Sequence, residues 1–203
     1  ASALPSAVVT IFGGVLLVYR SGMRWRPAPL FIFAALAGWT IGGAGALIDS
    51  TPGVNEYFHN TLWVPAHFHT YMALGAVLFL LGGVFHIVPE IVGKSMSDKV
   101  GRIAAIFILA GGWTVVLVFF ASGALSVPRR YAFVPDMTFE ILARIGTVAA
   151  FVVACGILLI LGDFIRVVMP VLRGWRPRPL EAHASFDGPG PTSATPQGDE
   201  GGV

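Results

Sequence analysis

Cysteine is nearly absent: Cys155 is the only one in 203 residues, so no disulfide framework can form within the chain and the redox compartment stays undetermined. Charge is scarce as well. Lys, Arg, Asp and Glu together make up 12% of the residues against 55% hydrophobic, and the mean hydropathy is +0.76, which excludes an ordinary water-soluble domain. Cys155 lies inside an apolar run and reads as a small packing residue. A net charge of +2 and a pI near 9.0 would suit a nucleic-acid binder. The basic residues, however, fall in short clusters between apolar runs and form no continuous stripe, so no nucleic acid is expected as a partner. The sequence also lacks an initial methionine, and no charged leader or cleavage site precedes its first apolar run. An N-terminal truncation, a split subunit or processing is the expectation.

What the chain has is long apolar runs, at residues 3–19, 29–48, 62–89, 103–127 and 145–162. Each is about long enough to cross roughly 30 Å of hydrocarbon as a helix. The expected fold is an all-α, polytopic membrane bundle of five transmembrane helices. Linkers with turn chemistry separate them, and no internal repeat is visible. From Pro170 the composition shifts to Pro, Gly, Ser and Thr, as in Gly188-Pro189-Gly190-Pro191, which cannot bury a core. The division is therefore a bundle over residues 1–169 and a disordered tail over 170–203.

Basic residues mark alternate linkers: Arg20, Arg24 and Arg26, then Lys94, Lys99 and Arg102, then Arg166, Arg173, Arg176 and Arg178. The positive-inside rule puts these regions and the tail on the cytoplasmic side. The two other linkers carry Asp49, Glu56 and Asp136, and their basic residues are the adjacent Arg129 and Arg130. This pair breaks the charge pattern. Two explanations stand: an interfacial pair on lipid phosphates, or a clamp for a buried anion, since arginine binds carboxylates as a bidentate fork. Arg144 follows Glu140 by four residues, the spacing of a structural ion pair on one helix face.

The most informative stretch runs His59-Asn60-Thr61-Leu62-Trp63-Val64-Pro65-Ala66-His67-Phe68-His69-Thr70-Tyr71. Asn60 or Thr61 can cap the helix, and Pro65 is tolerated because the first turn needs few backbone donors. Counted at 1.5 Å per residue from Leu62, His67 and His69 lie roughly 8 to 10 Å below the helix end, inside the apolar layer. At about 100° per residue they point some 200° apart, so they cannot chelate one ion from a regular helix. Each makes an ordinary interhelical hydrogen bond, or the two serve separate centres. Haem suits the second reading, because one neutral imidazole is a common axial ligand and Ala66, Ala73, Gly75 and Ala76 leave room. Two such irons would be roughly 12 to 15 Å apart. Haem propionates, anions at the porphyrin edge, would also give His59, Arg129 and Arg130 a common partner.

The run His-Asn-Thr-Leu-Trp-Val-Pro-Ala-His-Phe-His, followed about sixty residues later by Val-Pro-Arg-Arg-Tyr, resembles subunit I of haem-copper oxygen reductases. The resemblance covers residues 1–169, which are similar to the last five helices of that subunit's twelve-helix core. It implies that His67 is the proximal ligand of a high-spin haem where oxygen is reduced, that His69 ligates a low-spin haem, and that Phe68 mediates electron transfer between them. It implies propionate contacts for His59, Arg129 and Arg130. The pattern resembles the B-type branch most. Asn60 stands where A-type enzymes hold a magnesium-ligating aspartate, so no magnesium is expected through it. In the first run Val9 takes the place of the A-type lysine of a proton pathway. Ser6 and Thr10 support a water chain or bond to helix carbonyls.

The same resemblance implies what must come from elsewhere. A copper held by three histidines and a second low-spin ligand have no counterpart here, so the chain by itself is expected to be incomplete and inactive. The implied partners are the remaining part of subunit I, a subunit II with a copper centre, a cytochrome c or small copper-protein donor, oxygen and a bacterial or archaeal membrane. The implied function is reduction of oxygen to water with coupled proton translocation. Nitric oxide reductase of the same superfamily is one alternative; a transporter or scaffold subunit without haem is another. A pure dihaem cytochrome ranks last, because His86 and His183 lie too far along the chain to supply second ligands. His86 reads as interfacial, His183 as exposed. The pairs Gly42-Gly43, Gly82-Gly83 and Gly111-Gly112 read as sites of close helix or haem approach.

Overall fold

The computed structural model describes residues 12–16, 18–19, 21–130 and 137–174. Among these, four helices are long and apolar enough to cross a membrane. Helix α1 spans Pro27–Asp49. A seven-residue helix, α2, spans Pro52–Phe58. Helix α3 spans Trp63–Val92, α4 Asp98–Ala124 and α5 Met137–Gly174. They cover the second to fifth expected runs. Of the first, residues 12–16 are helical and most of the remainder lies outside the described residues, so five spans reduce to four that can be described.

Local chemistry explains the ends. Pro27 opens α1, where its missing N–H costs nothing. Gly93 closes α3 at φ 69, in the left-handed region. Ser97 caps α4, its hydroxyl accepting from the Val100 N–H at 3.3 Å. Ser126, at φ 60, turns the chain after α4. Two boundaries differ from the expectation. Helix α5 continues through Pro170 to Gly174, forgoing the one backbone bond that an N–H at 170 would have made to Arg166 O. The linker between α1 and α3, read as turn, folds into α2 behind Pro52.

Successive long helices pack antiparallel through small residues. Along α1 the buried positions are Pro27, Phe31, Ala35, Gly38, Gly42 and Gly45, a single stripe. A Cβ on Gly38 would meet the Leu74 carbonyl oxygen at 2.1 Å, and one on Gly42 would meet the Tyr71 backbone at 3.3 Å. The backbones of α1 and α3 therefore nearly touch, as is usual where bilayer-embedded helices pack without a hydrophobic driving force between them. Gly123 admits Trp63 of α3, Gly111 of α4 admits α5, and Gly156 of α5 admits α4. Of the glycine pairs noted in sequence, Gly42, Gly82, Gly111 and Gly112 sit at such contacts. Gly43 and Gly83 meet nothing within 4 Å.

Polar contacts gather the basic linkers at one end. Arg26 pairs with Asp98 across the α1 and α4 starts at 3.8 Å. Asp163 of α5, its side chain 3% exposed, accepts the Ser97 N–H at 2.7 Å and is held by Arg166 at 2.7 and 2.9 Å. At the other end, Thr61 and Pro128 form an isolated antiparallel bridge. The Leu62 N–H donates to Val127 O at 2.8 Å and the Arg129 N–H to Asn60 O at 2.9 Å. Much of the outer surface is apolar, including Ile145, Val148, Phe151 and Leu158 on α5. Water would oppose so large an apolar area; a bilayer accommodates it.

Candidate functional site

The first turns of α3 carry the two histidines into the bundle on different sides. His67 faces α1: a Cβ on Gly45 would lie 3.0 Å from its Nδ1, and its ring is 6.4 Å from that of Tyr71. His69 faces α4, its ring meeting Phe119 edge-on at 5.4 Å. Both imidazoles are half-buried, and Phe68 between them is 56% exposed. The spacing argument thus holds in three dimensions: no single ion can take both side chains.

Their hydrogen bonds differ as well. His69 Nδ1 lies 2.7 Å from the Pro65 carbonyl. A carbonyl only accepts, so Nδ1 carries the proton and Nε2 keeps its lone pair, the tautomer a metal ligand needs. His67 Nδ1 is buried without a partner. Neither Nε2 takes part in a hydrogen bond among the described residues.

The buried polar atoms without partners are Trp39 Nε1, Asp49 Oδ1, Trp63 Nε1, His67 Nδ1 and Ser122 Oγ. Asp49 ends α1, Trp63 begins α3 and Ser122 lies near the end of α4, so four of the five gather at the bundle end that holds the histidines. Unpaired buried polar groups are costly and call for a partner. No cluster of three or more metal-binding side chains exists among the described residues. Lone imidazoles on two faces, next to uncovered aromatic surface, fit axial ligation of haem and not a multi-ligand ion site.

The loop bridge joins Asn60 to Arg129, some seventy positions apart in sequence, and so brings the segments that carry His59 and Arg130 to the same end of the bundle. His59 and Arg130 are exposed and Arg129 is half-buried. Among the described residues the ion pairs are Arg26–Asp98, Arg144–Glu140 and Arg166–Asp163, so neither Arg129 nor Arg130 is spent on a carboxylate there. Thr61 stabilises the entry to α3, accepting the Trp63 N–H at 3.2 Å and donating to Phe58 O at 2.9 Å. His86 is exposed on the far half of α3. Ser6, Thr10 and His183 lie outside the described residues, as does the chain beyond Gly174.

Sequence reasoning missed three features. Gly45 was the nearest to legible, since Gly38, Gly42 and Gly45 follow helical spacing on one face. The π-helical segment Met72–Val77 inside α3 carries no composition signal. Asp163 lies just past an apolar run, and its burial depends on Ser97, 66 positions away.

The fold and the site define a polytopic all-α membrane protein with two independently placed imidazoles on one span. The chain belongs to the family described as Cytochrome C and Quinol oxidase polypeptide I, which it matches over residues 1–161. It is 29% identical over 167 residues to cytochrome c oxidase subunit 1 of Bacillus subtilis, covering 81% of this chain and 26% of that one. To the corresponding subunit of Thermus thermophilus it is 32% identical over 147 residues, covering 66% and 26%. To a probable quinol oxidase subunit 1 of Staphylococcus epidermidis it is 25% identical over 158 residues, covering 77% and 24%. The fold is similar to a chain in a cryo-EM structure of a heme-copper terminal oxidase dimer, with a TM-score of 0.62 at 22% identity over 68% of this chain and 26% of that one. The chain therefore spans about a quarter of the length of these relatives.

Proposed function

We propose that this chain is the haem-ligating C-terminal part of the catalytic subunit of a B-type respiratory oxidase, which reduces oxygen to water and translocates protons. The observation that carries the reading is the placement of His67 and His69 two residues apart on α3, one toward Gly45 of α1 and the other toward Phe119 of α4. When bound, two haems supply electron transfer and, with a copper ligated outside this chain, the place where oxygen is reduced. His67 holds the high-spin iron and His69 the low-spin iron. The Pro65 carbonyl keeps the His69 ring in the ligating tautomer and raises its basicity. Phe68 lies between the two ligands as an electron-transfer residue. Arg129 and Arg130 bind propionates with His59, and the loop bridge fixes their distance from α3. Asn60, a neutral amide, binds no magnesium. Ser6 and Thr10 contribute to a proton path.

The proposed setting is a bacterial or archaeal cell membrane, with the basic end of the bundle and the tail cytoplasmic. The proposed partners are the rest of subunit I, a subunit II with a copper centre, and a cytochrome c or small copper-protein donor. The test is reduced-minus-oxidised and carbon monoxide difference spectroscopy on the purified parent complex carrying His67→Ala or His69→Ala. His67→Ala is expected to remove the carbon monoxide-binding haem and His69→Ala the low-spin haem. Unchanged spectra and haem content in both variants would overturn the assignment.

A further inference from the structure

Away from the histidines, α4 and α5 leave a groove of about 460 Å³ lined by Ala110, Gly111 and Thr114 on one side and Arg144, Val148 and Val152 on the other. It exists because the helices carry small residues there: Gly111 sits where an added Cβ would be 2.7 Å from Ala149 O. The Thr114 hydroxyl on its wall is already spent, donating to Ala110 O at 2.8 Å. From Arg144 to Val152 the groove follows eight residues of helix, roughly 12 Å.

One end of this apolar groove is charged. Arg144 and Glu140 pair at 2.5 Å, with side chains 77% and 59% exposed. An exposed pair of this kind contributes little to stability. It does hold a cation and an anion side by side at a definite depth: Arg144 directly precedes the uncharged stretch 145–162 of α5, about 27 Å long, so the pair lies at the headgroup level of a bilayer. The bond to Glu140 Oε1 uses one guanidinium nitrogen, which leaves further donors in a geometry that suits a phosphodiester.

We propose that this groove binds one zwitterionic aminophospholipid. Arg144 takes the phosphate, Glu140 takes the primary ammonium, and an acyl chain lies between α4 and α5 against Ala110, Gly111 and Val148. A choline headgroup lacks the N–H donors that Glu140 would accept, and an anionic glycerol headgroup would face Glu140 unfavourably, so the pair selects as well as binds. The site is independent of the haem assignment.

The test uses the full chain in its purified complex, depleted of loosely held lipid and exposed to phosphatidylethanolamine, phosphatidylglycerol or phosphatidylcholine, with bound lipid counted by native mass spectrometry. Wild type is expected to retain one more phosphatidylethanolamine than either Arg144→Gln or Ala110→Phe, with at least a tenfold weaker midpoint in each variant. Ala110 is exposed on the groove wall, so its replacement fills the space without entering a helix contact. Glu140→Gln is expected to abolish the preference for phosphatidylethanolamine over phosphatidylglycerol. Equal retention of all three lipids, or retention unchanged in both Arg144→Gln and Ala110→Phe, overturns the proposal. So does a wild-type complex with no lipid at this site because another protein segment covers the groove.

Discussion

At the residue scale the decisive positions are the two histidines and the small residue that faces one of them. His67 has its ring against α1 at a position with no side chain, Gly45. Gly45→Val would drive branched carbons into the imidazole and turn it. The expected outcome is loss of the carbon monoxide-binding haem spectrum with the low-spin spectrum kept, measured on the same complex as the ligand variants. Loss of both haems would mean that the substitution disturbs α1 as a whole. The pairing of histidines was legible because it depends only on helical periodicity: residues two apart cannot share a face. Gly45 was less legible, since a glycine in an apolar run does not announce what will approach it.

At the element scale, stability rests on backbone contact between helices and on a few buried polar staples. Gly38→Leu would put a side chain where Leu74 O already lies at 2.1 Å from an ideal Cβ. Overpacking of this sort costs about 1–3 kcal/mol where atoms can shift, and more is expected here because the obstacle is backbone. Denaturant unfolding in detergent should show it as a clear fall in midpoint; an unchanged midpoint would mean that α1 and α3 are not this close. Asp163 joins α5 to the loop before α4. Asp163→Ala leaves the Ser97 N–H and the Arg166 guanidinium without their partner, and losing such a buried bond costs about 1–3 kcal/mol. The expected signature is faster proteolysis between Gly93 and Ser97, with haem spectra unchanged.

At the scale of the whole molecule, the structure brings the basic linkers to one end through Arg26–Asp98 and Asp163–Ser97, and the Arg129–Arg130 loop to the other. If the basic end is cytoplasmic, Ser126→Cys in a Cys155→Ala background should react with an impermeant maleimide in intact cells. Ser95→Cys should react only after the membrane is opened; the reverse pattern would invert the orientation. At 38 residues, α5 is about 57 Å long, well beyond the hydrocarbon thickness. Its ends therefore stand in the headgroup layers or in water, which is where its charged residues lie.

Composition and periodicity alone determined that the chain lives in a membrane, where four of its spans fall, though the last helix reaches 8 and 12 residues beyond its apolar run, and that His67 and His69 lie on different sides of one helix. These properties follow from hydropathy and from the fixed turn of an α-helix, both of which are local. The tertiary structure decided what each histidine meets and that the Thr61–Pro128 bridge brings Asn60 to Arg129. It also decided the burial of Asp163 against the Ser97 N–H. Those outcomes depend on which backbones can approach closely enough to touch. That is a property of pairs of helices, and no window along one helix contains it.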